Sequence, residues 1–280
     1  MVGYDPRYRI AVIIPNYNMP EAADAIVDRI RASSDERMYD LFLVDNGSDL
    51  VAPAKNTTVL LPTNCQTTGA ILCGMAAADR HVRENKLKHD YFAYWIIITS
   101  TTLLDRIDYI SEGLLGLAGN VGYMPALTIK STSAWKHLFR RNVNSAALIK
   151  HLSKYSEIID NNWAIPRSTR KVWMLDNIAT FWRKDWLDSI GRFDPKLTYA
   201  WGIDLETSYL ARKQGKYMVV SDWVNVTKTT DIGYSMGRMN MSADDRRTKA
   251  YSNMKEILSQ RYGPDWEYKM RNENVKEEWR

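Results

Sequence analysis

Apolar residues along this chain fall into short blocks that stop abruptly at polar turns. The first block, Arg9 to Asn18, reads RIAVIIPNYN, and the second, Leu41 to Asp49, reads LFLVDNGSD. Both are rich in aliphatic residues and run into polar loops, so they predict buried strands. Between them, EAADAIVDRIRASSDERM sets Ala22, Ile26, Arg29 and Ile30 at helical spacing, with charges on the other face. Strand, helix and strand within about 40 residues make a βαβ unit with a parallel pair of strands. In open α/β sheets ligands bind beyond the carboxyl ends of the strands. Pro15, Asn16, Tyr17, Asn18, Asp45 and Asn46 fall there.

The same alternation continues downstream. Val59 to Leu61 predicts a third strand, and TTGAILCGMAAADRHVREN a helix. Tyr91 to Ile98 is an aromatic and β-branched run that predicts a fully buried central strand, ending in Thr99 to Thr102. LDRIDYISEGLLGLA predicts an amphipathic helix and VGYMPAL a short strand. Lys130 to Pro166 is polar and helical in pattern, as an insertion over the sheet would be. Val172 to Arg183 returns to strand character, KDWLDSIGRFD predicts a short helix ending at Gly191, and LETSYLARKQG a helix stopped by Gly215. YMVVSDWVNVTK predicts a last strand, Asp231 to Asn240 a Gly- and Met-rich loop, and Ser242 to Tyr262 a helix with a Ser cap. Gly263 to Arg280 is charged and is expected to be peripheral. The fold expected is α/β: a Rossmann-like, mostly parallel central sheet flanked by helices, in one domain over residues 1–241, with a C-terminal helical extension over 242–280.

Composition narrows the partners. The chain is 45 % hydrophobic and 25 % charged, an ordinary globular balance. Its ten Trp and sixteen Tyr serve a core, and they also suit stacking on sugars or bases. A net charge of +5 fits anionic partners: nucleotides, nucleic acid or a lipid headgroup surface. The basic residues are spread out; a modest cluster at Lys136, Arg140 and Arg141 reads as a solvated face. No apolar run reaches the roughly 18 residues of a membrane-spanning helix. The start of the chain lacks a signal-peptide layout, because AVIIP is too short an apolar run. Cys65 and Cys73 make neither a disulfide framework nor a zinc site and read as free thiols in a reducing compartment. Asn56, Asn225 and Asn240 open glycosylation sequons that read as chance matches without a secretory signal. A cytoplasmic protein is expected, with a basic surface that could meet anionic lipid peripherally.

The order VIIPNYN, VDNGSD, a buried strand near residue 95, then FWRKDWLDSIGRFDPKLTYAWGIDLETSYLARKQG resembles an inverting, family-2-like glycosyltransferase of the GT-A fold. The resemblance covers Arg9 to Lys228. It implies a nucleotide-binding half over 1–128 and an acceptor half over 129–241, with a UDP-, GDP- or TDP-sugar at the strand ends of the first. The reaction implied is a single displacement at the anomeric carbon. That chemistry needs a base for the acceptor hydroxyl, stabilisation of the departing diphosphate, and in-line placement of both substrates. Pro15 to Asn18 resembles the family's base-binding turn, and Asp45 with Asn46 its acidic pair, here with Asn as second member. An Asn amide both donates and accepts, as a base edge requires. The competing role is that Asn16, Asn18 and Asp45 only tie their turns through side-chain to backbone bonds. Asp204 falls where the family carries its base, and Glu206 is the runner-up, with a helix-dipole charge as its plain structural role. Tyr199, Trp201 and Gly202, at the approach to Asp204, are candidate acceptor-binding residues; the two aromatics could stack on an acceptor ring or belong to the core. Arg183 is a cation on the expected acceptor side, with a structural ion pair as its alternative.

One part of the family pattern is missing. Where an Asp-x-Asp normally holds a divalent ion against the diphosphate, this chain has Thr99-Ser100-Thr101, and where a His often completes the site it has Lys228. Anions are removed and a cation is gained. Three readings follow: a metal-independent enzyme in which Lys228 and the hydroxyls neutralise the diphosphate; Mn²⁺ or Mg²⁺ held by other acids, Asp105 or Asp176; or a noncatalytic nucleotide-sugar-binding module. NCQTTGAILCGM also departs from the family at Gln66, Ile71 and Leu72, while Asn64 and Gly74 match in spacing. Outside this class, the basic charge and aromatics leave nucleic acid open as a partner, including transfer onto modified DNA bases, although no nucleic-acid-binding motif is present. A dinucleotide dehydrogenase is disfavoured because no G-x-G-x-x-G follows the first strand.

Overall fold

The computed structural model describes residues 5–103, 107–118, 126–131, 169–216, 218–228 and 241–275. Its strands are β1 (Ile10–Asn16), β2 (Tyr39–Asp45), β3 (Val59–Leu60), β4 (Ala93–Ile97), β5 (Thr101–Leu103), β6 (Ala126–Ser131), β7 (Thr169–Val172), β8 (Ala179–Arg183) and β9 (Met218–Lys228). Its α-helices are α1 (Pro20–Ser33), α2 (Gln66–Glu84), α3 (Tyr109–Ala118), α4 (Lys184–Ser189), α5 (Ile203–Lys213), α6 (Ala243–Tyr262) and α7 (Trp266–Asn272). The strands form one sheet in the order β3-β2-β1-β4-β8-β6-β9-β5, with β7 also pairing β9.

The α/β architecture is as the apolar pattern predicts, but the sheet is mixed rather than mostly parallel. β3, β2, β1 and β4 are parallel neighbours. β8 runs antiparallel to both β4 and β6, and β5 and β7 run antiparallel to β9. Both faces are covered, which explains the unbroken apolar runs. Along β1, Ala11 and Ile13 face one side and Ile10, Val12 and Ile14 the other; along β4, Tyr94 and Ile96 alternate with Ala93, Trp95 and Ile97. The first side packs under α2, α4, α5, α6 and α7, and the second under α1 and α3. On α1 the buried face is Ala23, Ile26, Val27 and Ile30, a small rotation from the expected one. α5 stops at Gly215, where the N–H groups of Gly215 and Lys216 return to the carbonyls of Arg212 and Ala211.

Three expectations need correction. Val172 to Arg183 is not one strand: β7 ends at Val172, β8 begins at Ala179, and the turn between them carries Asp176 and Asn177. Lys130 belongs to β6 rather than to a helix, and residues 132–166 lie outside the described residues, as do 231–240. The segment after Gly263 is not peripheral. Trp266 and Met270, one helical turn apart on α7, are buried in the core under α5. Arg212 fixes that docking by donating to the carbonyls of Trp173 and Met270, and to that of Glu273 at 3.2 Å. Burial pulls its guanidinium down to about 10.

At the amino end of β4, α2 and α4 are tied by charge. Lys184 Nζ lies 2.6 Å from Asp188, 2.8 Å from Asp90 and 3.3 Å from Asp79, and Arg192 bonds Asp79 and Asp188 at 2.6 and 2.7 Å. Burial opposes ionisation of Asp79, but Arg192 and Lys184 outweigh it and hold its carboxyl below the usual range. A depressed acid contributes stability that is present above its unfolded value, about 4, and is lost as pH falls through the folded value. Denaturant midpoints measured from about pH 7 to about pH 3 are therefore expected to fall less in Asp79→Asn than in the wild type; identical acid limbs contradict this.

Candidate functional site

The parallel register sets Asn16 directly opposite Asp45 at the carboxyl ends of β1 and β2, with both side chains buried. Asn16 Nδ2 donates to Asp45 Oδ2 at 3.4 Å, and the Asn46 N–H donates to the Asn16 carbonyl at 2.8 Å. Asp45 also accepts from the Ser48 N–H at 2.9 Å and the Ser48 hydroxyl at 2.8 Å. Asn18, in the left-handed region that Asn tolerates, accepts from the N–H groups of Asp49 and Leu50 at 3.1 Å each and donates to Asp49 Oδ1 at 2.8 Å. Between them Gly47 has φ +68°, and a Cβ there would lie 2.4 Å from the Thr63 backbone carbon. Asn46 extends the frame to the start of α2: its Oδ1 accepts from the Cys65 N–H at 3.0 Å and its Nδ2 donates to Asn64 Oδ1 at 3.0 Å.

These bonds assign roles. Pro15, Asn16, Asn18, Asp45 and Asn46 are buried, and the side-chain polar groups of Asn16, Asn18, Asp45 and Asn46 tie the turns to each other. The surface they hold out is Tyr17, Gly47, Ser48, Asp49 and the largely exposed Leu50. Tyr17 donates its hydroxyl to Asp49 at 2.9 Å. Burial, then this bond, pushes the Tyr17 phenol up, while Asn18 and Tyr17 hold the Asp49 carboxyl down.

A second group gathers where β4 ends. Thr99 Oγ1 lies 3.9 Å from Met19 Sδ, which sets this turn beside the first loop. Thr101 begins β5 and pairs in register with Lys228. The turn closes on the mouth of β8: the Ile98 N–H donates to the Ile178 carbonyl at 3.0 Å, and Thr101 Oγ1 reaches that carbonyl at 3.5 Å. Asp176, half-buried two residues earlier, accepts through its own carbonyl from the Ile178 N–H and the Thr180 hydroxyl, both at 2.8 Å. Thr99, Ser100 and Thr101 thus lie beside the turn that carries Asp176, with the backbone of Lys228 in register with Thr101. Asp105 lies outside the described residues.

The third group precedes α5. Ala200 and Gly202 both have positive φ, and a Cβ on Gly202 would meet Met254 Cγ of α6 at 2.7 Å, so Gly202 serves helix packing. Thr68 of α2 clamps this loop. Its N–H donates to the Thr198 carbonyl at 3.1 Å, its hydroxyl donates to the Leu197 carbonyl, and the same oxygen accepts from the Ala200 N–H at 3.1 Å. Tyr199 and Trp201 are half-buried, and Trp201 packs on the core. Asp204 and Glu206 are both 4 % exposed. Glu206 is bound by Arg261 and by the Tyr262 hydroxyl at 2.7 Å, and Arg261 also bonds Asp194. This carboxylate therefore pins α6 to α5, and it also stands in the first turn of α5, the helix-end charge that the sequence suggests. Asp204 accepts from the Leu205 N–H at 2.8 Å.

Arg183 does not join the site. β8 is antiparallel, so Arg183 pairs with Ala93 at the opposite end of β4 from Ile97, where it bonds Asp185 and lies over the Phe92 ring at 5.3 Å. Four residues of strand separate the two levels, roughly 13 Å. Thr68 and Arg261 were not singled out from the sequence; their partners lie on distant segments, and only a buried Thr in the first turn of a helix could have hinted at one of them.

The chain matches no protein-family model, and no curated protein matches it. Among the described residues no cluster of three or more His, Cys, Asp or Glu could hold a metal ion, and no helix is long and apolar enough to cross a membrane. Thr68→Val keeps the shape of the clamp but removes both bonds of the hydroxyl, leaving the Leu197 carbonyl and the Ala200 N–H only their 3.2 Å bond to each other. Urea unfolding is expected to show a loss of about 0.5–1.5 kcal/mol, with amide exchange accelerated across 197–202; unchanged exchange there contradicts the clamp.

Proposed function

We propose that this protein is a GT-A-type glycosyltransferase that moves a sugar from a nucleoside-diphosphate donor to an acceptor hydroxyl with inversion. The observation that carries this reading is the convergence at one end of the sheet of three things: a rigid frame of loops after β1 and β2, a hydroxyl-bearing turn after β4 in register with Lys228, and the first turn of α5 with Asp204. Ligands bind at this end in open α/β sheets.

In this reading the nucleoside meets Tyr17, Ser48 and Asp49, while Asn16, Asn18, Asp45 and Asn46 hold those groups in place. The base-binding role moves from the buried residues to the surface that they present. Rigid support of this kind is what in-line displacement requires. The diphosphate lies at Thr99 to Thr101 and Lys228. Hydroxyls are neutral oxygens and do not fit a divalent ion that prefers carboxylates, whereas a lysine supplies a positive charge directly. Asp204 takes the acceptor proton. Tyr199 and Trp201 border the acceptor.

A thermal-shift panel of UDP-, GDP- and TDP-sugars, with Mn²⁺ or with EDTA, tests donor class and metal need together, because a bound ligand raises the melting temperature by mass action. A shift that persists in EDTA is expected. If EDTA abolishes transfer and Mn²⁺ restores it, Asp176 or another acid holds a metal and Lys228 does not replace it. Asp204→Asn is expected to keep the donor-induced shift and to lose at least about 100-fold in turnover; full activity would place the base elsewhere, and a panel with no shift at all would sink the reading.

A further inference from the structure

The turn between β7 and β8 holds an atom that has no partner among the described residues. Asn177 is 8 % exposed. Its Oδ1 accepts from Trp182 Nε1 at 2.7 Å. An indole N–H only donates, so this contact fixes which way the amide points. The opposite atom, Nδ2, is buried and has no hydrogen-bond partner among the described residues. A buried amide donor without an acceptor is disfavoured, and such exceptions call for a reason. Other buried unpaired groups, such as Tyr39 Oη and Trp95 Nε1, sit at the start of β2 and in the middle of β4, away from the carboxyl ends of the parallel strands. Asn177 sits at the candidate site.

Its position has a chemical meaning that rests on the glycosyltransferase reading. In a single displacement the leaving oxygen, the anomeric carbon and the attacking oxygen lie on one line. The transferred sugar therefore lies between the group that holds the diphosphate and the base. Residues 175–178 join those two places. On one side Ile178 is bonded to Ile98 and Thr101 of the hydroxyl turn. On the other the Leu175 N–H donates to Ser208 Oγ of α5 at 3.2 Å, and Ser208 lies one turn beyond Asp204 on the same helix face. The bond to Trp182 puts the Asn177 amide on the side of the sheet that packs under α5, where Trp182, Leu175, Ile203 and Leu205 share one core.

We propose that Asn177 Nδ2 donates a hydrogen bond to a ring hydroxyl of the transferred sugar and so helps to decide which nucleotide sugar is used. The amide is covered, and the contact requires a side-chain shift at this turn, of the kind common on ligand entry. The expected ligand is a pyranose that presents an oxygen acceptor at that ring position. Its deoxy analogue leaves the amide unpaired and is discriminated against.

Asn177→Asp tests the assignment. It keeps an oxygen for Trp182 Nε1 and, assayed near pH 8 where a carboxylate is ionised, offers no donor. With the nucleotide sugar that the wild type turns over, kcat/KM is expected to fall by about tenfold or more, while the affinity for the free nucleoside diphosphate stays at the wild-type value. A series of monodeoxy donor sugars provides a second measure on the wild-type protein. One analogue is expected to lose a similar factor, and in Asn177→Asp that analogue and its parent are expected to react equally, as coupled partners do. An active protein whose Asn177→Asp variant reacts like wild type, or whose deoxy series is flat, overturns this assignment alone. A wild-type protein that turns over none of the UDP-, GDP- and TDP-sugars removes the reading on which it rests.

Discussion

Asn16 and Asp45 meet because two parallel strands end at the same level, and much of the site follows from that meeting. A parallel pair presents its carboxyl ends together, with the last side chains facing one another across the pair. Here those side chains are polar and buried, so each hydrogen-bonding group must find a partner or carry a desolvation cost. They find partners in the next turns: Asp45 in Ser48, Asn16 in Met19, Asn18 in Asp49 and Leu50. Loops that would otherwise be loose become an extension of the sheet. Asn46 passes the constraint to the start of α2, and Thr68 passes it on to the loop before α5. Segments as much as 132 residues apart in sequence are thus bonded directly within one frame.

Such a frame separates support from contact. The residues most prominent in the sequence are the ones that disappear into the scaffold, and their less conspicuous neighbours, Tyr17, Ser48 and Asp49, remain at the surface. Glu206 follows the same logic. It stands two residues from Asp204 and looks like a second candidate acid, yet Arg261 and Tyr262 take it up as an anchor for α6. The C-terminal helices are accordingly part of the same half of the fold as Asp204: α6 packs on Gly202 and reaches the loop before α5 through Asn253, while α7 is held by Arg212.

The strands and most helices were legible because burial on both faces of the sheet demands continuous aliphatic runs, and helices beside them show a one-sided apolar stripe. Strand direction was not legible. Nothing local in ATFWR says that β8 runs against β4, and that direction alone removes Arg183 from the site. The break inside Val172 to Arg183 had a signal in the polar pair Asp176-Asn177, which interrupts an apolar run as a turn would. The docking of α7 also had one, since Trp266 and Met270 are four residues apart in a charged segment. The ion pair between Glu206 and Arg261, and the bonds of Thr68 to residues 197–200, join positions that no local pattern connects. The register of Thr101 with Lys228 lies between these cases: both residues stood out by type, and their backbone pairing follows only from β5 running antiparallel to β9.

The central claim is a single displacement by a base at the first turn of α5, carried out on a nucleotide sugar at the strand ends. The stereochemistry of the product reports on it most directly. Proton NMR of the sugar released or transferred early in the reaction, from an α-linked UDP-, GDP- or TDP-sugar with EDTA present, resolves the anomeric configuration before mutarotation scrambles it. The account requires the β anomer as the first product. An α anomer, or no cleavage of any of these donors, contradicts it.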